Sequence, residues 1–414
     1  MMVALVILSM VTSGFAYSLQ LTLITTQGNT ARVQAANLAA RELEIVRNEF
    51  GATKSAPLTV GATSQATNPH PLPGQGAGPL RIDGRPFTVV RTVEWLPVGS
   101  GVSPCDGGSA VTYPSLGVHV RVSWDEKGAT RDVESNTVLT PPKGTLATIK
   151  GFIAAKVQGA SGTGVADVPV DISGAASQTR VTADDGCAVF AVEAIGSYTV
   201  TLDDPGYISF DGQTTTSKAA TVGNGTIQIV PFSYDRAAGI SLQFEVIEDP
   251  DTEYAMPDTK PAVTLFNPSL ATMGRKTIPS GIASVTSLWP YPDGYSVWAG
   301  SCTANDPANS GGTRPQPVTP DPGQTVTASV SLMPVHATFL DNDGQPLKLK
   351  DVTAQLVDPA GCPQPTLTFG KTNDAGVAKV ALPYGQWTLT AGGTSIQATI
   401  NSDADYPQML PEGS

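Results

Sequence analysis

The chain begins with a continuous apolar stretch and changes to an amphipathic pattern before residue 50. Residues 1–24 are almost wholly apolar or small, and no charged side chain precedes Arg32. Such a run meets the roughly 20 residues that a membrane-spanning helix needs. The next apolar positions recur every three or four residues: Ala36, Ala39, Leu43, Val46 and Phe50. This spacing predicts one stripe of a long helix that ends at Gly51.

From residue 80 the pattern alternates with a period of two, which predicts β-strands. Residues 87–95 place one set of side chains on a single face: Phe87, Val89, Arg91, Val93 and Trp95. A second strand does the same: Val118, Val120, Val122 and Trp124. A more polar strand is predicted over residues 131–139. The order of a helix followed by antiparallel strands predicts one module that ends at residue 142.

An internal repeat occupies the rest of the chain. Residues 182–190 (TADDGCAVF) precede GSYTVT at 196–201, and residues 372–380 (TNDAGVAKV) precede GQWTLT at 385–390. A looser copy is TIPSGIASV at 277–285, followed by GYSVW at 294–298. In each copy a turn begins a strand, and a glycine then precedes an aromatic side chain that we expect to pack between two sheets.

Composition and charge exclude several classes of function. The 42 glycines and 34 prolines with only 14% charged residues favour turn-rich β modules over a helical enzyme. The formal net charge of −12 argues against a nucleic-acid partner. No phosphate-binding loop, metalloprotease motif or nucleophile elbow occurs, so we expect no catalytic, cofactor or metal residues and no enzyme.

The apolar run VALVILS at residues 3–9 resembles the N-terminus of type IV pilins and pseudopilins. It matches the inner part of that pattern and lacks its leader, processing glycine, phenylalanine and glutamate, so we expect the start to lie further upstream. The resemblance implies that an N-terminal helix joins the subunit to other pilin subunits and to a membrane. The side chains assigned to this assembly helix are Val3, Leu5, Ile7, Leu8, Phe15, Leu19 and Leu23.

The repeats resemble the carboxypeptidase regulatory-like and collagen-adhesin B-type β-sandwiches, which serve as spacers and adhesin stalks. The predicted fold class is therefore mainly β with one long N-terminal helix: a pilin-like helix and antiparallel sheet, then three tandem immunoglobulin-like sandwiches. The predicted domains are a stalk helix (1–52), a β head (53–142) and three sandwich modules (143–234, 235–333 and 334–414). The core aromatics expected in these domains are Trp95, Trp124, Tyr198, Tyr295 and Trp387.

The four cysteines are the remaining candidates for a specific role. A disulfide between Cys302 and Cys362 would join two neighbouring modules, and Cys105 and Cys187 would form a possible second pair. Four cysteines allow three pairings, and the sequence does not choose among them.

These patterns predict a non-enzymatic minor pilin-like surface protein that displays its β modules for pilus assembly and adhesion, with an unknown host or surface ligand. The expected location is the cell membrane, with a single span and an extracellular body. Two alternatives remain open. One is a membrane-anchored adhesin outside any pilus, and the other is a pseudopilin of a type II secretion or DNA-uptake system.

Overall fold

The structure is a computed structural model in which a helix precedes a series of β-sheets. It describes residues 2–53, 55–96, 103–107, 114–126, 128–141, 150–247, 253–357, 362, 366–401 and 408–410, and within 2–28 the side chains of Phe15 and Tyr17 alone. The chain divides into two compact units. Unit 1 comprises Met1–Gln158, Gly162–Asp204 and Thr215–Phe232, and unit 2 comprises Gly159–Ser161, Pro205–Thr214 and Ser233–Ser414.

Two helices open the chain: α1, Met2–Gly51, and α2, Ala56–Ala62. Among the described side chains of α1, a buried stripe runs from Ala31 through Leu38, Leu43, Val46 and Phe50. One predicted position differs, because Ala36 is exposed and Ala35 is fully buried. A helix of 3.6 residues per turn brings Ala31, Ala35 and Leu38 onto one face, and Ala36 falls beside it.

The strands of the first half of the chain are β1 (Gln65–Thr67), β2 (Leu80–Ile82), β3 (Arg85–Leu96), β4 (Ser115–Glu126), β5 (Ala129–Leu139), β6 (Gly151–Gln158), β7 (Pro169–Ser173), β8 (Gln178–Val181), β9 (Cys187–Val192), β10 (Gly196–Leu202), β11 (Tyr207–Ser209), β12 (Thr216–Val222) and β13 (Thr226–Arg236).

The first sheet of unit 1 has the antiparallel order β1-β3-β4-β5, with β2 also paired to β3. The alternation predicted for β3 and β4 is confirmed, because every second side chain of each strand is buried. Val89 lies opposite Val122 and Val93 lies opposite Val118, so the two buried faces coincide. Helix α1 contacts β3, β4 and β5 and covers this face.

The second part of unit 1 is a sandwich that shares a core with the first sheet. One of its sheets has the order β12-β10-β7-β8, and the other contains β13, β6 and β9. Phe152 of β6 and Val189 of β9 belong to the same hydrophobic cluster as Trp95 and the α1 stripe. The rings of Trp95 and Phe152 are 6.1 Å apart between centroids.

The strands of the second half are β14 (Ala238–Val246), β15 (Val263–Phe266), β16 (Arg275–Ile278), β17 (Ser284–Leu288), β18 (Ser296–Ala299), β19 (Thr325–Thr338), β20 (Asp351–Leu356), β21 (Leu367–Lys371), β22 (Val377–Leu382), β23 (Gly385–Ala391), β24 (Thr394–Ile400) and β25 (Gln408–Met409).

One long strand, β19, is shared by the two sandwiches of unit 2. Its first part pairs in parallel with β14, from Thr325 to Leu332, and its last part pairs antiparallel with β22, from Met333 to Thr338. The sheet β17-β14-β19-β22 therefore serves both sandwiches. The sheet β16-β15-β18 completes the first of them, and β21-β20-β23-β24 completes the second.

Two copies of the repeat have the same local structure. The buried Thr182 donates its hydroxyl proton to the Val165 carbonyl (2.6 Å), and the buried Thr372 donates to the Leu347 carbonyl (2.5 Å). Each hydroxyl also accepts a backbone N–H, so both turns are held by the same pair of hydrogen bonds.

The repeat aromatics are buried and their polar atoms are satisfied locally. The Tyr198 hydroxyl donates to the Ala194 carbonyl at 2.9 Å. Trp387 Nε1 donates to the Pro383 carbonyl at 2.8 Å. Tyr295 of the looser copy is also buried, and its hydroxyl donates to a carbonyl six residues earlier.

The predicted fold class, a pilin-like helix and head followed by three tandem sandwiches, is wrong. Strands hold 50% of the residues, and the sheets are mostly of the sandwich type. The head sheet and the first sandwich form one compact unit with a common core, and the next two sandwiches share β19. Residues 333 and 334, between which a boundary is predicted, both lie inside β19.

The predicted location, a single-pass membrane protein, is also wrong. In the part of the chain that the structure describes, no helix combines the length and the apolar character required to cross a membrane.

Candidate functional site

Of the seven assembly residues predicted on α1, the structure describes the side chain of one. All seven lie within the helix, and six of the side chains fall outside the described residues: Val3, Leu5, Ile7, Leu8, Leu19 and Leu23. The seventh, Phe15, is 67% exposed, and its neighbour Tyr17 is 68% exposed. Both precede Ala31, the first described side chain of α1 that is buried.

A cluster of charged side chains holds α1 to the segment that follows α2. Glu42 is only 2% exposed and accepts hydrogen bonds from His70 Nδ1 (2.9 Å) and Arg91 Nη1 (3.2 Å). His70 Nε2 lies 2.9 Å from Glu49 on the same helix. Arg41 donates to the His70 carbonyl at 2.9 Å. Every partner of Glu42 is thus polar, which explains how a carboxylate stays buried beside Leu43.

Two disulfides connect the β modules. Cys105 is bonded to Cys187 with the Cα atoms 5.9 Å apart, and Cys302 is bonded to Cys362 with the Cα atoms 5.8 Å apart. The first joins the segment between β3 and β4 to the start of β9 within unit 1. The second joins Cys302, in the segment after β18, to Cys362, between β20 and β21, within unit 2. These are the pairs that the sequence analysis names.

Arg180 of β8 joins the sandwich of unit 1 to the first sheet. Its guanidinium donates to the Gly61 carbonyl (2.6 Å) and to the Val93 carbonyl (2.7 Å), and its side chain is buried. Burial lowers the pKa of Arg180 to about 10, against the charge of Glu94 nearby. Burial, followed by the charge of Asp185, raises the pKa of Glu94 to about 7.

Glu94 lies in a groove of about 530 Å³ within unit 1. Its Oε1 is buried and accepts no hydrogen bond within the described residues. Atoms of Glu94, Asp185 and Cys187 lie within 4.8 Å of one another, which is the spacing of a metal site. The Cys187 sulfur is in a disulfide, so only two carboxylates remain. That donor set is smaller than the six to eight oxygens that calcium takes.

Unit 2 contains a larger pocket, of about 790 Å³, beside the β16-β15-β18 sheet. Its rim is the β15–β16 turn at residues 269–273, and its walls include Arg275, Lys276 and Arg314. Phe210 lies at one edge. We refer to it as the unit 2 pocket.

A buried carboxylate fixes two of the cations of the unit 2 pocket. Asp306 is fully buried and accepts hydrogen bonds from Arg314 Nη2 (2.8 Å) and Arg275 Nη2 (2.5 Å). It also caps the short helix Pro307–Ser310 by accepting from the Ala308 N–H. Burial raises the pKa of Asp306, but the hydrogen bonds from Arg314 and Ala308 and the two arginine charges outweigh it, so the pKa is lowered.

Aromatic rings also line the unit 2 pocket. Phe210 packs its ring edge-on against Trp289 and Tyr291, with centroids 5.9 Å and 5.7 Å away. Tyr291 packs in turn on Tyr295 at 5.4 Å. Phe210 remains 47% exposed, whereas the rings behind it are buried.

No pattern in the sequence predicts the unit 2 pocket. No sequence motif includes Arg275, Asp306 and Arg314. They come together because β16 and the segment after β18 are neighbours in the fold. Glu42 was also missed, although its position beside Leu43 in the apolar stripe was a usable signal. The three histidines lie on separate elements, and His70 has carboxylates as its partners.

Comparisons with known proteins identify distant structural likenesses. No protein-family model matches the chain, and no curated protein sequence matches it. Among solved structures it is similar to the TIE protein of Bacillus anthracis (14% identity, 84% of this chain and 74% of that chain, TM-score 0.23). It is also similar to the major pilin subunit of Bacillus cereus (13% identity, 64% of this chain and 99% of that chain, TM-score 0.22). A third similar structure is the minor pilin of Streptococcus agalactiae (12% identity, 44% of this chain and 94% of that chain, TM-score 0.20). These scores are too low to carry an argument, so the type IV pilin resemblance rests on the N-terminal run alone.

Proposed function

We propose that the protein is a structural, non-enzymatic subunit of a surface fibre, which associates through the first half of α1 and displays its β modules. The observation that supports this most directly is the exposure of two aromatic side chains on α1. Phe15 and Tyr17 are each exposed to about two thirds, whereas Ala31, Ala35 and Leu38 further along the same helix are buried.

The first half of α1 requires an apolar partner. At 1.5 Å per residue, the helix continues for roughly 40 Å before Ala31. Burial of one large apolar side chain contributes about 1.5–3 kcal/mol. The seven predicted assembly side chains together therefore supply roughly 10–20 kcal/mol, which is comparable to or larger than the 4–15 kcal/mol that association costs. Packing against the same segment of other copies satisfies this requirement.

The second half of α1 is suited to transmit that association to the body. Its apolar stripe shares a core with the first sheet and the first sandwich of unit 1. The contacts of Glu42 with His70 and Arg91 add polar specificity to this packing. The charged clusters of unit 1 thus hold elements together, which is a structural role.

The proposal is tested by comparing Phe15→Glu with Val33→Glu in the full chain. Val33 is 59% exposed on the same helix but lies after Ala31, so it is a matched control for the added charge. We expect the wild-type protein and Val33→Glu to form large assemblies in sedimentation velocity and electron microscopy. We expect Phe15→Glu to remain monomeric with an unchanged unfolding temperature.

Three results would contradict the proposal. The first is a wild-type protein that stays monomeric at concentrations of tens of micromolar, and the second is a Phe15→Glu variant that assembles like wild type. The third is a wild-type protein that enters phospholipid vesicles as a monomer without self-association.

A further inference from the structure

The unit 2 pocket contains three cations that its protein partners do not fully use. A guanidinium has five N–H donors and an ammonium has three. Arg314 uses Nε and Nη2 on Asp306, so its Nη1 has no acceptor within the described residues. Lys276 Nζ donates to the Ser287 carbonyl at 3.3 Å. Burial lowers the pKa of Lys276.

The balance of charge in the pocket is positive. Within the described residues, the pocket lining carries Arg275, Lys276 and Arg314 and one carboxylate, Asp211, and the two arginines share the buried Asp306. The chain as a whole has a formal net charge of −12. A positive concavity on an acidic protein attracts anions locally, and the surrounding surface repels them.

One cation is held rigidly in place. The guanidinium carbon of Arg314 lies 3.7 Å from the centroid of the Phe266 ring, and the Nε and Nη2 edge of the same group is fixed by hydrogen bonds to Asp306. A stacked planar guanidinium presents its free edge in one orientation, which suits a planar carboxylate. Because the group is ordered before binding, little conformational entropy is lost on binding.

The remainder of the pocket combines an open aromatic ring with hydroxyl groups. Phe210 is 47% exposed and is supported from behind by Trp289 and Tyr291. The lining also includes residues with hydroxyl side chains: Ser269, Thr272, Thr277, Ser287 and Thr303. The volume of about 790 Å³ lies within the 300–1,000 Å³ of small-molecule sites.

We propose that the unit 2 pocket binds a carboxylate-bearing saccharide of one to three rings. Arg314 and Lys276 bind the carboxylate, the apolar C–H face of a sugar ring packs on Phe210, and the hydroxyl side chains of the lining contact the sugar hydroxyls. The combination selects an acidic sugar, because a neutral sugar offers no carboxylate to the remaining donors of Arg314 and Lys276, and an inorganic anion makes no use of the aromatic ring.

The test titrates N-acetylneuraminic acid and glucuronic acid into the full-length protein by calorimetry, with glucose, N-acetylglucosamine and sulfate as comparison ligands. We expect an acidic sugar to bind and the affinity to fall with added salt. Lys276→Gln should weaken binding by at least about tenfold, since a charged hydrogen bond is lost. Lys348→Gln removes the same charge from an exposed position of unit 2 and should have no effect.

A second variant keeps the test decisive if Lys276→Gln unfolds. Phe210→Ala should also lower the affinity for the acidic sugar, while the affinity for sulfate should stay unchanged. Equal affinity for neutral and acidic sugars, no binding of either acidic sugar at millimolar concentration, or sulfate binding as tight as sugar binding would overturn the proposal. The titration is repeated in the Phe15→Glu background, so that failure of fibre assembly and failure of the pocket are separated.

Discussion

Replacing Glu94 by glutamine should stabilise unit 1 at pH 8 and leave its stability unchanged near pH 4. In the folded protein Oε1 of Glu94 is buried and accepts no hydrogen bond within the described residues. Burial and the charge of Asp185 raise the pKa of Glu94 to about 7. At pH 8 the carboxylate is therefore ionised in a site that disfavours its charge, and a neutral amide of the same shape removes that cost.

The sign and size of the effect follow from proton binding. The unfolded chain releases the Glu94 proton near pH 4.5, whereas the folded chain keeps it up to about pH 7. Between these values the folded state binds more protons, so the free energy of unfolding falls as the pH rises. A shift of about 2.5 pKa units corresponds to about 3.4 kcal/mol at most, and partial exposure of Glu94 reduces this to about 2–3 kcal/mol.

The measurement requires a probe that reports unit 1 separately. Hydrogen exchange of peptides from β3 and β4, combined with calorimetry from pH 4 to 9, provides it, since both strands belong to unit 1. We expect Glu94→Gln to slow exchange in these peptides at pH 8. Wild type should lose stability between about pH 4.5 and 7, and the variant should lack this loss.

The matched control is Glu134→Gln on β5, an exposed position in the same sheet. It should change the stability by less than about 0.5 kcal/mol at either pH. A Glu94→Gln variant that is less stable than wild type at pH 8 would refute the reasoning. That result would mean that the attraction between Glu94 and Arg180 exceeds the cost of burying the carboxylate.

Three further substitutions test the repeat turns and aromatics. Gly376 has φ of +75°, and an added Cβ would lie 2.5 Å from the Phe339 carbonyl oxygen, whereas Gly344 has φ of +76° with open space around it. Gly344→Ala should cost about 1–2 kcal/mol and Gly376→Ala about 1–3 kcal/mol more in denaturant unfolding, and equal costs would contradict the steric argument. Trp387→Phe leaves the Pro383 carbonyl without its donor and should cost about 1–3 kcal/mol, so an unchanged unfolding midpoint would show that this hydrogen bond contributes nothing.

Local patterns in the sequence were sufficient for elements whose two faces differ strongly. The alternation in β3 and β4 was clear because their inward side chains are buried against α1, whereas their outward side chains are more exposed to solvent. The repeat turns were also readable, since Gly186 and Gly376 stand in left-handed backbone that favours glycine.

The rest depended on contacts between distant residues. In β19 the apolar positions change phase between Leu332 and Met333, so the sequence marks a break there, but no local signal identifies β14 and β22 as the partners of the two parts. Asp306 and Arg275 are separated by 31 positions, so their ion pair follows only from the fold. The helix stripe was misread at Ala36 because alanine suits both an exposed and a buried face.

The disulfide between Cys105 and Cys187 also determines how unit 1 would respond to a pulling force. The two residues are 82 positions apart in sequence, and their Cα atoms are separated by only 5.9 Å. A load that enters through α1 and leaves beyond residue 187 passes across the sulfur atoms. The intervening residues then carry no tension, and roughly 280 Å of chain stays unavailable for extension even after β4 and β5 separate. Oxidised unit 1 is thus nearly inextensible between these two cysteines. After reduction of the disulfide, the same segment could unfold and extend under force.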